Sequence, residues 1–189
     1  SNATYESTFT SYGEVIVDSG ALFSFYDVVL LDADGVYDSS GETVFGIDSR
    51  VEIHGSFSSA GPVLVMEDAI VDVFANTCYF DGTFTSEGDF TVLGECTFAD
   101  HVFVTSPFTV HSLGVVVLDS TDATFEFVYV NDGKTIVNGN AECRGGVTSN
   151  GHFINDGELD LYMNSIFHSS FINNELLRLT ENSVTEFLG

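Results

Sequence analysis

Three cysteines, five histidines and 29 acidic residues are the side chains with which this 189-residue chain could do chemistry. Their spacing decides which chemistry. Cys78, Cys96 and Cys143 are odd in number, so at most one disulfide can form within the chain. The spacing places Cys96 and Cys143 at inward positions too far apart to bond, which makes the cysteines small buried apolar residues. Neither a Cys-x-x-Cys nor a Cys/His zinc spacing occurs. His54, His101, His111, His152 and His168 form no His-x-His or His-Glu-x-x-His, and their scatter suits solvated turns. Nothing in the sequence points to a Ser-His-Asp triad.

Asp32-Ala33-Asp34-Gly35 has another character. Alternating Asp before Gly opens many calcium loops, because oxygen donors at alternate positions converge on one ion. Here position five is Val36 and position twelve is Thr43, so the helix-loop-helix calcium form is incomplete. Asp38 and Glu42 are the residues that could complete a different site. Asp32 and Asp34 are therefore calcium candidates, set against an ordinary acidic turn, and no other cofactor is expected.

Paired carboxylates can cleave glycosidic bonds. With so many acids, proximity alone says little. The cations Arg50, Lys134, Arg144 and Arg178 form no cluster that would hold a polyanionic substrate. The expectation is a protein that is not an enzyme, with a carbohydrate-active enzyme as one alternative.

These residues need elements to position them, and the composition says which. There are 18 Gly and 18 Phe but only 2 Pro and no Trp. Val, Phe, Thr and Ile favour a pleated surface, so this is a β composition. Four Lys and Arg against 29 Asp and Glu give a net charge of −25, yet 44% of residues are hydrophobic. High apolar content excludes a disordered chain. The scarcity of cations excludes a nucleic-acid partner and disfavours anionic membranes. No apolar run is long enough to insert into a bilayer. Ser1-Asn2-Ala3 resembles a cleaved-tag remnant and is set aside, so residues 4–189 are expected to form a single domain. No secretory leader is visible.

A repeat organises that domain. Phe9-Thr-Ser-Tyr-Gly13, Phe57-Ser-Ser-Ala-Gly61, Phe84-Thr-Ser-Glu-Gly88 and Phe153-Ile-Asn-Asp-Gly157 share one form. Further copies begin at Tyr37, Val110, Tyr129 and Phe171. Counting the first residue as zero, apolar residues recur at six and eight, then at twelve and fourteen. Alternation with period two places side chains alternately in the core and outside. Three short strands and three turns per copy describe one coil of a solenoid whose stacked coils share a core. The expected fold is all-β, a single-stranded parallel β-helix (β-solenoid) of about eight coils and roughly 38 Å. Coil length and crossover hand favour a right-handed helix. The glycine at position four is expected to supply a positive φ. Leu176–Leu188, which lacks that glycine, is a candidate cap.

The form Phe-x-Asn-Asp-Gly-x-Leu-x-Leu-x-x-x-Ser-x-Phe at 153–167 is similar to rungs of bacterial filamentous-haemagglutinin-type passenger domains. It also resembles β-helical domains of fungal hyphally regulated cell-wall proteins. The resemblance covers about Phe9–Phe187. It implies an extracellular or cell-surface protein that binds a host or a matrix.

One outward position is apolar. Position seven holds Ile16, Val44, Leu64, Val117 and Ile136, with Thr91 between the two groups. Stacked, these would make an apolar stripe, which on an acidic rod marks a contact face. The expected function is a cell-surface recognition or adhesion module with a protein or glycan ligand. The alternative is a structural scaffold or fibre subunit, a homo-oligomer joined through that stripe.

Overall fold

The computed structural model describes residues 2–119, 122–180 and 183–189, and winds them into about nine turns of a parallel β-solenoid. There is no helix among the described residues. Strands of three or four residues build three parallel sheets of ten, ten and nine strands. Successive coils contribute one strand to each sheet. At about 4.8 Å per coil, ten stacked strands span about 43 Å.

Local sequence explains the strands. Nearly every interior strand is buried at two positions and half-buried or exposed between them, as in Val63–Val65, Phe90–Val92 and Val102–Val104. The inward residues stack on their equivalents one coil away. Tyr37 lies on Phe57 with ring centroids 4.8 Å apart, and Phe80 on Phe98 at 4.9 Å. Those separations match the spacing of the strands themselves, so backbone pairing and ring stacking reinforce each other. Each fully buried Phe contributes about 1.5–3 kcal/mol of apolar burial.

The corners explain the Ser-x-Gly part of the repeat. Ser39 Oγ donates to the Gly41 carbonyl at 2.9 Å, Ser59 to Gly61 at 3.0 Å and Ser86 to Gly88 at 2.8 Å. A buried hydroxyl thus satisfies a carbonyl that the turn leaves without a ladder partner. Asn131 and Asn155 replace the serine in later coils and reach one coil further, to Ser149 Oγ at 2.9 Å and Asn173 Oδ1 at 2.6 Å.

The glycines at position four do not supply a positive φ; the positive-φ glycines are Gly20 and Gly146. Except at Gly13, in the first coil, their reason is space. A Cβ on Gly61 would lie 1.9 Å from the Gly41 carbonyl oxygen, and one on Gly82 would lie 2.4 Å from that of Gly61. Coils stack so closely at this corner that the backbone above occupies the side-chain position.

Two further expectations need correction. The coil is about 18 to 22 residues, shorter than several of the motif spacings. The motif copies do not mark one corner each time. Phe84 begins a strand of the first sheet, Phe9 and Tyr129 begin strands of the second, and Phe153 and Phe171 belong to the third. All three corners are strand–turn–strand units with the same inward alternation, so sequence similarity cannot tell one from another. Leu176–Leu188 is not a cap. Leu176–Leu179 and Thr185–Phe187 pair in parallel with Glu158–Leu161 and Ser165–Phe167 as strands of a further coil. At the opposite end Asn2 and Ala3 form part of the strand Asn2–Tyr5.

Candidate functional site

The corner equivalence divides the five candidate contact residues among two sheets. Val44 and Leu64 are register partners on the first sheet, and Val117 and Ile136 are partners on the third. Ile16 is also on the third sheet, but Asp38, Ser58, Tyr79 and Thr97 intervene between it and Val117. There is no single stripe through all five. Val44 is only 7% exposed, whereas Ile16 is 63% exposed.

What the register does build is a different column. On the outer face of the third sheet Val117 pairs with Ile136, Ile136 with Ile154 and Ile154 with Ile172. These four β-branched residues stand in four successive coils, and Thr97 precedes them. A parallel column runs Val115, Lys134 and His152. From Val115 to Ile172 the outward strand positions of this half-face carry no carboxylate, in a chain of net charge −25, and Glu95 heads the second column one coil before Val115.

Both edges of the face are polar. At one corner Asn150 Nδ2 donates to Asp132 at 2.7 Å. At the other, Asn138 donates to Asp119 at 3.3 Å and Asn174 to Asp156 at 2.5 Å. Each bond joins one coil to the next. A shallow groove follows the first of these corners, lined by Leu113, Val115, Asp132, Lys134 and His152. Leu113 at its lip is 83% exposed. An apolar centre with a hydrogen-bonded rim is the usual build of a protein contact surface.

Lys134 stands out electrostatically. Arg50 bridges Glu52 and Asp72, Arg144 bridges Glu126 and Glu142, and Arg178 bridges Glu158 and Asp160. Among the described residues Lys134 alone of the four cations has no ion-pair partner.

The other candidates do not converge. Asp32 and Asp34 sit in a corner turn closed by the Gly35 N–H donating to the Asp32 carbonyl at 2.8 Å. Among the described residues no third acidic, His or Cys side chain joins them to form a metal group. All five histidines are exposed, and His54 stacks on Phe74 with centroids 4.4 Å apart. A depression on the first sheet is lined by Asp122, Glu142, Glu158 and Asp160. Its carboxylates are already engaged: Asn140 donates to Asp122 at 2.9 Å, Arg144 holds Glu142, and Arg178 holds Glu158 and Asp160. Burial, with the Glu142 charge beside it, pushes the Asp160 carboxyl above its ordinary range.

No family model, curated protein or solved structure matches this chain.

Ile154 and Ile172 are the members of this column that motif alignment misses. In their copies they occupy position one, while position seven is Asp160 and Arg178. The signal that finds them is the coil period of about 18 residues, which places Ile136, Ile154 and Ile172 in one line.

Proposed function

We propose that the protein is a non-enzymatic recognition module of the extracellular or cell-surface type, which binds a protein ligand along the outer face of its third sheet. The observation that supports this reading is the column Val117–Ile136–Ile154–Ile172 beside an unpaired Lys134. β-Branched side chains on a parallel sheet lose little freedom on binding, because the strand already restricts their rotamers. The fitting ligand carries an apolar ridge and a carboxylate placed to meet Lys134. A complementary charge of that kind steers encounter and sets register more than it adds affinity. The acidic remainder of the rod repels other acidic surfaces and leaves this face as the favoured approach.

The test uses Ile136→Asp combined with Ile154→Asp, both outward and therefore expected to leave the coil intact. Binding to a panel of immobilised matrix proteins is compared with binding to a glycan array. The expected result is retention on a protein ligand by the parent chain, with about a tenfold or greater loss in the double variant. Retention only on glycans, or equal binding by both chains, overturns the reading. So does a dimer in sedimentation that the same two changes abolish, since the face would then belong to a second copy.

A further inference from the structure

We propose that Cys78 and Cys96 are a redox-labile thiol pair that closes into a disulfide joining two successive coils. The two residues are direct register partners on the inward side of the third sheet, with Phe57 above and Val116 below in the same column. Both are free and buried. The remaining thiol, Cys143, lies on the first sheet between Phe125 and Leu161, so the chain holds one in-register pair and one solitary cysteine. A depression on the outer face, lined by Ser56, Ser58, Thr77 and Glu95, also reaches Cys78.

Parallel pairing sets the geometry of the bond. Paired Cα atoms on neighbouring strands lie about 4.8 Å apart, inside the range of about 4.4–6.8 Å that a disulfide spans. The two Cα–Cβ bonds are nearly parallel, so the Cβ atoms are held at a similar spacing, wider than the relaxed value of about 3.8 Å. Closing the bond requires the two strands to pinch together. A disulfide made under that strain is more easily reduced than a relaxed structural one.

Burial and the neighbouring Cys78 thiol hold the Cys96 thiol well above its ordinary range, so the closed fold presents thiol and not thiolate. Exchange therefore runs during folding or when the coil opens. The Cys78 thiolate attacks a small-molecule disulfide such as oxidised glutathione, forming a mixed disulfide and releasing one glutathione thiolate. The Cys96 thiolate then attacks the Cys78 sulfur and releases the second. Two electrons pass to the oxidant, and the two thiol protons pass to solvent or to the released thiolates.

The experiment refolds the full chain in a mixture of oxidised and reduced glutathione, quenches with acid, and maps the free thiols by alkylation and peptide mass. The expected product links Cys78 to Cys96 and leaves Cys143 alkylated. Its Tm rises by about 5 °C and returns to the starting value with dithiothreitol. Cys143→Val leaves the link in place. Cys96→Val, chosen because Val116 fills the same place one coil on, abolishes it; Cys78→Ala serves if that variant does not fold. Folded protein with all three thiols alkylated overturns the proposal. So does a link to Cys143, or a glutathione adduct on Cys78 that never resolves. None of these outcomes depends on the contact face.

Discussion

At the scale of single residues, the polar groups inside the rod matter more than their number suggests. Tyr37 and Tyr129 turn their hydroxyls into the core, onto Thr43 at 2.7 Å and Thr135 at 2.9 Å. Burial pushes the Tyr37 hydroxyl up to about 12 and the Cys143 thiol up to about 12, and raises Tyr129 and Cys96 too. In each case the fold keeps a proton that the unfolded chain releases, so the stabilisation is complete below the unfolded pKa and is lost as pH rises toward the folded one. The thiols ionise in the unfolded chain from about pH 9, and the tyrosines from about pH 10. Stability should therefore fall from about pH 9 and more steeply past pH 10, each group contributing up to about 1.4 kcal/mol per pH unit. Urea midpoints between about pH 8 and pH 11 check this, and Cys143→Val should flatten the first part of the decline. A midpoint that stays level to pH 11 would contradict the burial of these groups. Little of this was legible beforehand. The inward position of Cys96 followed from alternation, but its pairing with Cys78 did not, because Cys78 falls outside the motif alignment.

At the scale of strands and corners, the sequence was most informative. Alternation, the Ser-x-Gly corners and the scarcity of Pro all pointed to stacked short strands, and they form. The stretch Val28–Leu31, which lies outside the aligned motif positions, is an ordinary strand of the second sheet. Register between distant copies was harder to read. A six- or seven-residue strand–turn unit carries the same inward pattern wherever it lies, so local sequence specifies that a corner exists and not which one it is. That is why Val44 and Val117 aligned in sequence yet lie on different faces. The glycine ladder gives a sharp test of close stacking. Gly61→Ala places a methyl against the Gly41 carbonyl, backbone that cannot step aside. Destabilisation of about 2–3 kcal/mol in chemical denaturation is expected. Gly13→Ala, where the added carbon meets nothing, should be near neutral by comparison. Equal effects at the two positions would show that conformational freedom, and not space, selects these glycines.

At the scale of the whole molecule, the charge and the repeat act on each other. Parallel stacking brings like residues into line, so acids also stack: Glu142 is the register partner of Asp160, and Glu52 of Asp72. Each such pair costs about 1 kcal/mol even in water. Three arginines offset part of this by each spanning two carboxylates. Added salt should stabilise the protein, raising the unfolding free energy by on the order of 1 kcal/mol or more between low salt and about 0.5 M. A urea midpoint that falls with salt would mean that attraction outweighs repulsion among these charges. The interchangeable corners carry one more consequence, for how such a chain can change by insertion and deletion. Loss of a whole coil slides every downstream residue along the rod and leaves it on its own face. Loss of a single corner of about six residues turns everything downstream by a third of a revolution, so Ile136, Ile154 and Ile172 would move as a block to another side with their mutual alignment intact. The rod is in this sense a dial, and segment length in thirds of a coil decides which way its surface points.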